Sequence, residues 1–581
     1  MRGTVVAIHV AAHDAVVTGT PLVVVEAMKM EHTIRAPGPG LVHRVHVGER
    51  DVVGLDQVVV SLVPGAAVDA AVAESATIDA DALPPSLQAV LELRSAATEV
   101  RAPKRGRAAR LNIDDLCDAG TFVEYGALAL PAQRNSRPIE ELRTKGPADG
   151  LIAGIGDVDG ARTVVLSYDS TVMAGTQGYI GHYKTDRMIA VAAAQRLPVV
   201  FCTEGGGGRP NDTATTAISA LDTATFRAFA QLSGTVPSIG IAAGRCFAGN
   251  AAILGCCDVV IATRDANIGM AGPAMISGGG LGDFAPDEIG PSHVQAANGV
   301  IDILVDDEAA AIRVARQYLS YFSGSSVEPA AGDQRLLRHV VPENRRTPYA
   351  VRDVISLVAD TDSVLELRAG FGAGVVTALA RVEGRPLGLI ANSPEHLGGA
   401  LDRDGADKLA RFLQLCDAYA LPVVSLCDTP GFMVGPASEE TATVRHFSRI
   451  FVVAANLRVP VVCVILRKAY GLGAQAMMAG HSRAPVATVA WPTAEIGAMG
   501  IEGAVQLGQR RTLEAIADPA ERQRMYDQMI EFAYEMSKAT NVATAFEIDD
   551  VIDPADTRRW ITQTVGRWTG APGTARFIDT W

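Results

Sequence analysis

The first sixty residues alternate between apolar and polar side chains, and this pattern occurs twice. Each copy has short Val-rich strands with a turn between them, at residues 11–14 and 48–51. Alternation bounded by turn residues is typical of β-strands, and a repeat indicates two related halves, so a small β-sandwich is predicted. At a shift of 37 positions, Gly3, Val5, Ile8, His9, Val10, Asp14 and Val16 match Gly40, Val42, Val45, His46, Val47, Asp51 and Val53.

The joint between the two copies carries the sequence Glu-Ala-Met-Lys-Met at residues 26–30. A hairpin tip between two such strands holds Lys29 in solvent, where an enzyme can reach it. An ordinary exposed lysine is the alternative. The repeat around the complete five-residue segment favours a site of modification.

Residues 64–85 differ in composition from the segments on either side. They are rich in Ala, Asp and Pro and have no apolar face. Such a segment is typical of a flexible linker, and about 21 residues of it have an r.m.s. span of roughly 25 Å. We therefore predict a first domain at 1–63 and a linker at 64–88.

A second repeat, with matches 223 to 228 positions apart, begins at residue 150. Each half is predicted to contain buried strands, Gly-rich turns and helices, so the fold class is α/β with halves at 89–342 and 343–581. A helix is predicted within 213–232, where Ile218, Leu221, Ala228, Phe229 and Leu232 share one face. The matched positions are Gly150, Val158, Gly160, 197–200, Pro237, Ala266, Ile268, Gly269 and Gly272, with Gly374, Val382, Gly384, 421–424, Pro460, Ala494, Ile496, Gly497 and Gly500.

Composition and charge narrow the class of protein. The 581 residues are 48% hydrophobic with a net charge of −14, which argues against nucleic acid or an anionic membrane surface as the main partner. No uninterrupted apolar stretch of about 18 residues offers a membrane span. Eight cysteines without a CxxC pair indicate neither a disulfide framework nor a zinc site, so a cytoplasmic protein without a metal is expected.

The repeat with its AMKM segment resembles the biotinyl domains. In that family biotin is amide-linked to the lysine of the AMKM signature, and Met28 and Met30 belong to the same signature here. Lipoyl domains share the fold but lack Met-Lys-Met. The resemblance implies biotin as a covalent cofactor on Lys29, and a biotin protein ligase as a partner.

Residues from about 90 to 581 resemble the carboxyltransferase subunits of biotin-dependent acyl-CoA carboxylases. That family implies two crotonase-like halves (β-β-α superhelix), here preceded by the all-β biotinyl sandwich. It also implies a ring-shaped homo-oligomer, commonly a hexamer. The motifs are PADGL at 147–151, GGGGR at 205–209, ANSPEHLGGALD at 391–402, CDTPGFMVG at 427–435, RKAYGLGA at 467–474 and WPTAEIGAMGIEGAV at 491–505.

Carboxylation next to a thioester requires stabilisation of an enolate, and backbone N–H groups at a Gly-rich turn before a helix provide it. The run at 205–208, before a helix expected near Asp212, fits this description. The family's SGGAR turn then selects Gly206 and Gly207. By the same resemblance, a matching oxyanion hole for the ureido oxygen of biotin is expected at Gly473 and Ala474. If the alignment shifts in this segment, the hole includes Gly471 instead. A purely structural role for these glycines is the alternative.

Other positions carry weaker predictions. Arg209 either borders the substrate pocket or forms a salt bridge, and Tyr183, with His182 and Lys184, borders the acyl pocket. Ala476 occupies a position that shapes the acyl end in short-chain relatives. The basic run Arg101, Lys104, Arg105, Arg107 and Arg110 meets the CoA phosphates or forms a solvated helical segment.

The resemblance implies transfer of a carboxyl group from carboxybiotin on Lys29 to the α or vinylogous carbon of an acyl-CoA, as in the acetyl-, propionyl- and methylcrotonyl-CoA carboxylases. No ATP-grasp region is present, so a separate biotin carboxylase subunit using ATP and bicarbonate is expected. Two alternatives stay open, a transcarboxylase or acyl-CoA decarboxylase component and a non-catalytic scaffold that binds CoA thioesters. No residue selects the acyl group.

Overall fold

The computed structural model describes residues 2–65, 79–104, 106–215, 219, 221–324, 328–565, 568 and 577–581. The chain forms two compact units, Met1–Ala89 and Val90–Trp581. Most of the predicted linker, residues 66–78, lies outside the described residues, as do Arg105 and Ile218. Among the described helices, none has the length and apolar character needed to span a bilayer.

The first unit is a small β-sandwich, as predicted. One sheet has the order β4-β3-β1-β6 and the other β2-β5-β7. Val5, Val23 and Val42 are buried between the sheets. The strands are β1 (Gly3–Ile8), β2 (Ala15–Val16), β3 (Pro21–Ala27), β4 (Met30–Arg35), β5 (Gly40–Val45), β6 (Val52–Val53) and β7 (Val60–Pro64).

The repeat of 37 positions is an internal symmetry of this sandwich. Val5 N–H donates to the carbonyl of Asp51 at 2.8 Å, and Val42 N–H donates to the carbonyl of Asp14 at 2.8 Å. The aspartates close matching turns, since Asp14 accepts from the amide of Ala11 at 2.7 Å and Asp51 from that of Gly48 at 2.7 Å. The matched residues therefore make matched contacts.

Helix α1 (Pro85–Ala97) precedes the first α/β half. The main sheet of this half has the order β16-β14-β12-β11-β10-β9-β8. The further elements of the first half are α2 (Ala109–Leu116), β8 (Val123–Glu124), α3 (Ile139–Lys145), β9 (Leu151–Val158), β10 (Ala161–Tyr168), α4 (Tyr179–Gln195), β11 (Val199–Cys202), α5 (Thr225–Ala230), β12 (Ser238–Ala242), β13 (Arg245–Phe247), α6 (Gly249–Gly255), β14 (Val259–Thr263), β15 (Asn267–Gly269), α7 (Pro273–Gly278), α8 (Ser292–Ala297), β16 (Ile303–Val305), α9 (Glu308–Ser320) and α10 (Leu337–Val340).

The second half has a sheet of order β17-β18-β19-β20-β21-β22-β24, with β23 paired to β21. Its elements are α11 (Val351–Val358), β17 (Leu365–Leu367), β18 (Val375–Val382), β19 (Arg385–Asn392), α12 (Arg403–Ala418), β20 (Val423–Thr429), α13 (Pro436–Glu439), α14 (Thr443–Ala454), β21 (Val461–Tyr470), α15 (Gly471–Met477), β22 (Ala487–Ala490), β23 (Glu495–Gly497), α16 (Ile501–Gly508), α17 (Arg510–Glu514), α18 (Pro519–Ser537), α19 (Ala539–Thr544), β24 (Asp550–Val551) and α20 (Thr557–Val565).

The two halves repeat each other element by element. Strands β9 and β18 begin 224 positions apart, as do β10 and β19, β11 and β20, and helices α4 and α12, whereas β12 and β21 begin 223 apart. The central strands are continuous apolar runs because both of their faces are covered. One hydrophobic core contains residues of both halves, including Val165, Ile241, Val423 and Cys463. The predicted duplicated α/β architecture is confirmed.

The predicted helix over 213–232 is wrong in extent. Only α5 (Thr225–Ala230) forms there within the described residues, and the Leu221 side chain is 90% exposed. Residue 212 explains the difference, since the Asp212 carboxylate accepts from Gln133 Nε2 at 2.9 Å and from the Tyr179 amide at 2.8 Å. These contacts hold the chain in a loop, so helical spacing of apolar residues is not sufficient here.

Candidate active site

Lys29 lies at the tip of the β3–β4 hairpin. Ala27 pairs with Met30, which leaves Met28 and Lys29 as a two-residue turn with φ values of 55° and 65°. Two positive φ values define a type I′ turn, which usually contains Asn or Gly because other residues are strained there. The turn side chains are exposed, Met28 to 89%. The hairpin thus presents the Lys29 ammonium to solvent, and this arrangement fits covalent attachment of a carrier group.

The glycine run at 205–208 follows β11 and alternates between exposed and buried positions. The Gly205 amide donates to the carbonyl of Arg245 at 2.7 Å, and the Gly207 amide donates to Asn250 Oδ1 at 3.0 Å. Gly206 and Gly208 are exposed, and their amides have no acceptor within the described residues. Of the predicted pair, Gly206 therefore offers an open N–H group, whereas that of Gly207 is engaged inside the fold.

No helix near Asp212 follows this glycine run within the described residues. Residues 209–215 form a loop, and α5 is the next helix in the part of the chain that the structure describes. A different helix begins beside the run. A Cβ on Gly207 would lie 2.8 Å from the Cβ of Ala248, the residue before α6. The helix start that lies against the glycine run therefore belongs to α6 and not to a helix after residue 208.

The second predicted hole lies at the start of α15. A Cβ on Gly473 would be 2.6 Å from the carbonyl carbon of Gly431, so only glycine allows this approach. The amides of Gly471, Leu472 and Gly473 have no acceptor within the helix, because the first intrahelical bond runs from Ala474 N–H to Tyr470. The amides of Gly473 and Gly471 are therefore not used in the helix, whereas the Ala474 amide donates an intrahelical hydrogen bond.

The internal repeat shows that the two predicted holes are not equivalent. Gln177 N–H donates to the carbonyl of Gly207 at 2.8 Å, and Leu401 N–H, 224 positions later, donates to that of Gly431 at 3.0 Å. The glycine run thus corresponds to residues 429–432. At the shift of 223 that relates β12 to β21, residues 471–474 correspond to 248–251. Each half therefore places a turn against the start of a helix.

Residues 248–251 were missed because they contain no glycine run. The sequence repeat nevertheless indicates them, since the shift of 223 positions that matches Pro237 to Pro460 also matches residues 248–251 to 471–474. Ala248 has a φ of 53°, and a Cβ on Gly249 would lie 2.0 Å from Gln177 Oε1. Asn250 is fully buried, with its carbonyl oxygen bound to the Gly207 amide.

Residues 102–566 match the family described as the carboxyl transferase domain, and residues 1–62 match the one described as biotin-requiring enzyme. The chain belongs to the biotin-dependent acyl-CoA carboxyltransferase family. It is 34% identical to the methylmalonyl-CoA carboxyltransferase 12S subunit of Propionibacterium freudenreichii over 78% of this chain and 87% of that protein. It is 32% identical to the biotin-dependent long chain acyl-coenzyme A carboxylase beta4 subunit of Mycobacterium tuberculosis over 78% and 86%.

Two solved structures extend this comparison. A single-chain, multi-domain long-chain acyl-CoA carboxylase is 50% identical, with a TM-score of 0.79 over 97% of this chain, and this chain spans 55% of that protein. Transcarboxylase 12S is 31% identical, with a TM-score of 0.74 over 86% of this chain and 99% of that one. The crotonase-like fold and the covalent biotin expected for this carboxyltransferase are thereby confirmed.

Arg209 of this carboxyltransferase is not open to solvent. Its side chain is 5% exposed and its Nη1 lies 2.5 Å from Asp149 Oδ1 and 3.4 Å from Asp212 Oδ2. Its Nε donates to Thr176 Oγ1 at 3.1 Å. Burial raises the pKa of Asp149, and the neighbouring Arg209 opposes that rise. The contacts are those of the predicted salt bridge, and Arg209 also lines a cavity of about 710 Å³.

The other predicted pocket residues occupy different environments. Tyr183 is 57% exposed and donates from its hydroxyl to that of Tyr179 at 2.9 Å. Ala476 is buried in the hydrophobic core. Lys184 is also buried, and its ammonium binds the carbonyls of Gly126, Ala148 and Leu151. The structure thus brings Gly206 and Arg209 into one region and leaves Tyr183 on an outer face of α4.

A cavity of about 710 Å³ opens beside Gly206. The two are linked by Thr176, which lines the cavity and whose Cγ2 would lie 3.3 Å from a Cβ on Gly206. Arg101, Arg137 and Lys145 also line it. In the predicted basic run, Arg107 and Arg110 instead pair with Asp115 and Glu124, and α2 begins only at Ala109, so residues 101–104 and 106–108 are not helical.

Proposed function

We propose that this chain is the carrier and carboxyltransferase component of an acyl-CoA carboxylase whose substrates are long-chain acyl-CoA thioesters. The observation that carries the proposal is the 50% identity to a long-chain acyl-CoA carboxylase across 97% of this chain, which includes the biotinyl unit. The similarity to a long chain acyl-coenzyme A carboxylase subunit from Mycobacterium tuberculosis supports the same substrate class.

We propose Lys29 as the site of biotin attachment. Biotin supplies a ureido nitrogen that carries the carboxyl group between sites. Lys29 contributes a solvent-exposed amine on a rigid two-residue turn, and the turn keeps its side chain clear of the sandwich. A biotin protein ligase then needs to recognise only the hairpin tip and its neighbouring strands.

We assign the oxyanion hole of the acyl-CoA to the Gly206 amide together with the first amides of α6, those of Gly249 and Asn250. Preorganised N–H groups lower the energy of an enolate oxygen because they need no reorientation as negative charge develops. Asn250 Oδ1 holds the Gly207 amide and so fixes the turn against the helix. The hole for the ureido oxygen of biotin is assigned to the Gly471 and Gly473 amides of α15.

The cavity beside Gly206 is proposed to receive the phosphate groups of CoA. Its volume lies in the range usual for ligand sites. The cationic side chains of Arg101, Arg137 and Lys145 would offset phosphate charge in a protein whose net charge is −14. Because Thr176 lines the cavity and adjoins Gly206, the thioester is proposed to reach Gly206 from this side.

The complete reaction requires partners. A biotin carboxylase that uses ATP and bicarbonate is proposed to load the biotin. The chain is also proposed to form a hexamer, as transcarboxylase 12S does. All eight cysteines are free thiols, which suits a reducing compartment such as the cytoplasm.

The experiment uses the reverse half-reaction, which needs no partner. Intact mass of the biotinylated chain, and of Lys29→Arg, is measured before and after mixing with malonyl-, methylmalonyl-, methylglutaconyl- and long-chain carboxyacyl-CoA thioesters. The proposal predicts biotin on wild type alone and gain of a carboxyl group from the long-chain thioester. Loading from a short-chain thioester alone would contradict the substrate class, and biotin on Lys29→Arg would contradict the attachment site.

A transcarboxylase component is the second candidate, favoured by the 34% identity to the methylmalonyl-CoA carboxyltransferase subunit. That match covers 465 residues, whereas the long-chain carboxylase matches 97% of the chain. Requirement for ATP and bicarbonate together with a biotin carboxylase separates the two functions. Carboxyl exchange between two acyl-CoA thioesters without ATP would favour the transcarboxylase.

A further inference from the structure

The second half contains a buried acid whose negative charge is offset by neighbouring cationic side chains. Asp428, at the end of β20, is 0% exposed. Its carboxylate lies 3.2 Å from Arg467 Nε and 3.0 Å from Lys468 Nζ, and it accepts from the Tyr349 hydroxyl at 2.9 Å. The Arg467 guanidinium lies over the ring of Tyr349, with 4.8 Å from its central carbon to the ring centroid.

The first half has an acid at the matching position without these cations. Glu204 lies 224 positions before Asp428, and the residues 223 positions before Arg467 and Lys468 are Gly244 and Arg245. Arg245 is exposed and pairs with Asp287 at 3.3 Å. A Cβ on Gly244 would lie 2.5 Å from Glu204 Oε1, so the carboxylate occupies the place where a side chain would start. Within the described residues no ion pair reaches Glu204.

A cavity of about 20 Å³ adjoins Glu204 at the carboxyl ends of β10, β11 and β12. Asn112 lines it and is only 8% exposed, and its Oδ1 has no hydrogen-bond partner in the described structure. Its Nδ2 donates to Glu308 Oε2 at 2.9 Å, which fixes Oδ1 as the remaining acceptor. Asp169 also lines the cavity. Arg107 does too, but its Nη1 is paired with Asp115 at 2.5 Å.

Two acids, Glu204 and Asp169, thus line one small volume, and Glu308 binds the Asn112 side chain that also lines it. Burial, with the charges of Glu308 and Asp169, raises the pKa of Glu204 to about 7. The negative charge of Glu308 is partly compensated, since its carboxylate accepts hydrogen bonds from the Arg107 amide at 2.8 Å and from Asn112 Nδ2. Glu204 receives no such bond within the described residues. The Asn112 Oδ1 is buried and the Glu204 carboxylate is partly exposed, and neither has a hydrogen-bond partner within the described residues. A ligand that accepts electron pairs from oxygen would satisfy both groups.

We propose that this cavity binds one monovalent cation of the Na⁺ and K⁺ class, held by Glu204, Asp169 and Asn112 Oδ1. Oxygen donors select hard cations, and a volume of about one water molecule excludes Mg²⁺ with the waters that it retains. The ion takes the role that the Arg467 guanidinium has in the second half. It cancels a negative charge directly before residues 205–208, where an enolate oxygen is to be stabilised. The cation site depends on the fold and not on the proposed substrate.

The test follows the thermal unfolding midpoint of the full chain in KCl, NaCl and tetramethylammonium chloride at constant ionic strength. The wild-type midpoint rises and saturates with K⁺ or Na⁺, whereas that of Glu204→Gln does not respond. Glu531→Gln, an exposed position on α18, is the matched control and responds as wild type does. Thallium NMR measures Tl⁺ binding directly, and the affinity falls about tenfold from about pH 8 to about pH 6 because a proton competes at Glu204.

A second variant introduces a cationic side chain that replaces the bound ion. In Gly244→Lys the Glu204 carboxylate must turn aside for the new Cβ, which would lie 2.5 Å from Oε1, and the lysine ammonium then pairs with it. The folded variant no longer responds to K⁺ or Na⁺. A wild-type midpoint that is equal in all three salts would mean that water fills the cavity, and the proposal would fail. An equal response of wild type and Glu204→Gln, or a retained response in folded Gly244→Lys, would also overturn it.

Discussion

Asp149 and Arg209 lie 60 positions apart in the chain and form a buried ion pair, with Oδ1 and Nη1 2.5 Å from each other. Their side chains are 0% and 5% exposed. Asp149 has a φ of 55° and also accepts from the Gly181 amide at 2.6 Å. The pair therefore ties the turn before β9 and the start of α4 to the residue that follows the glycine run.

Removal of Arg209 is expected to destabilise the second unit. Arg209→Ala leaves two buried carboxylates, those of Asp149 and Asp212, without their cation, and loss of one partner of a buried pair costs about 3–5 kcal/mol. Urea unfolding of the full chain measures the change. Arg510→Ala is the control, because its pair with Glu514 is 72% and 63% exposed and contributes about 0.3–0.5 kcal/mol.

The same variant has a predictable pH dependence. Burial already raises the pKa of Asp149, and without Arg209 that pKa rises further. A carboxyl group with a folded pKa above its unfolded one loses stability as pH rises. The deficit of Arg209→Ala is therefore smaller at low pH than at neutral pH. Equal deficits at both would show that Asp149 does not remain buried and charged.

Replacement of Lys29 is expected to remove biotin without unfolding the domain. Lys29→Arg retains the charge and the exposed position at the hairpin tip, but arginine offers no amine for the amide bond. Intact mass after expression with a biotin protein ligase measures the modification, and circular dichroism measures the fold. Lys145→Arg, an exposed lysine of the second unit, is the control and retains biotin.

How far the sequence predicts the site depends on the range of the contacts. The Lys29 turn is local, formed by adjacent strands, and its position follows from the repeat. The bond between Gly207 and Asn250 joins residues 43 positions apart, and nothing near Gly207 indicates that its amide is used. The repeat predicts the two halves because their buried strands, such as β9 and β18, keep similar apolar patterns. The segments that form the site differ between the halves, so the repeat does not predict their contacts.

A side chain at Gly473 is expected to impair carboxyl transfer. The Cβ of Gly473→Ala would lie 2.6 Å from the Gly431 carbonyl carbon, so α15 must shift away from its partner turn. Loss of one oxyanion donor costs about 10²–10³-fold in kcat. The rate of carboxyl transfer to biotinylated chain from a carboxyacyl-CoA measures this. Gly508→Ala, where a Cβ meets nothing within 4 Å, is the control.

The outcome for Gly473→Ala separates two roles of the helix. Retained biotinylation with a lost transfer rate supports the assigned hole. A normal rate in a folded variant would contradict it, and the ureido oxygen would then have to bind elsewhere. Gly249→Ala is the corresponding variant in the first half, but its Cβ would lie 2.0 Å from a side-chain atom, Gln177 Oε1, and not from backbone, so a smaller loss of rate is expected.

Glu204 is expected to make stability depend on pH near neutrality. Its pKa is about 7 in the folded chain, against an ordinary value of 4.5, so the folded state binds more protons between these values. Stability in tetramethylammonium buffer therefore falls as pH rises from about 4.5 to about 7, by at most about 1.4 kcal/mol per pH unit, and is flat above. Urea unfolding at a series of pH values measures the slope. Glu204→Gln removes this contribution because its amide does not titrate, and KCl at high pH restores stability to wild type alone. An unchanged slope in Glu204→Gln would assign the titration to another group.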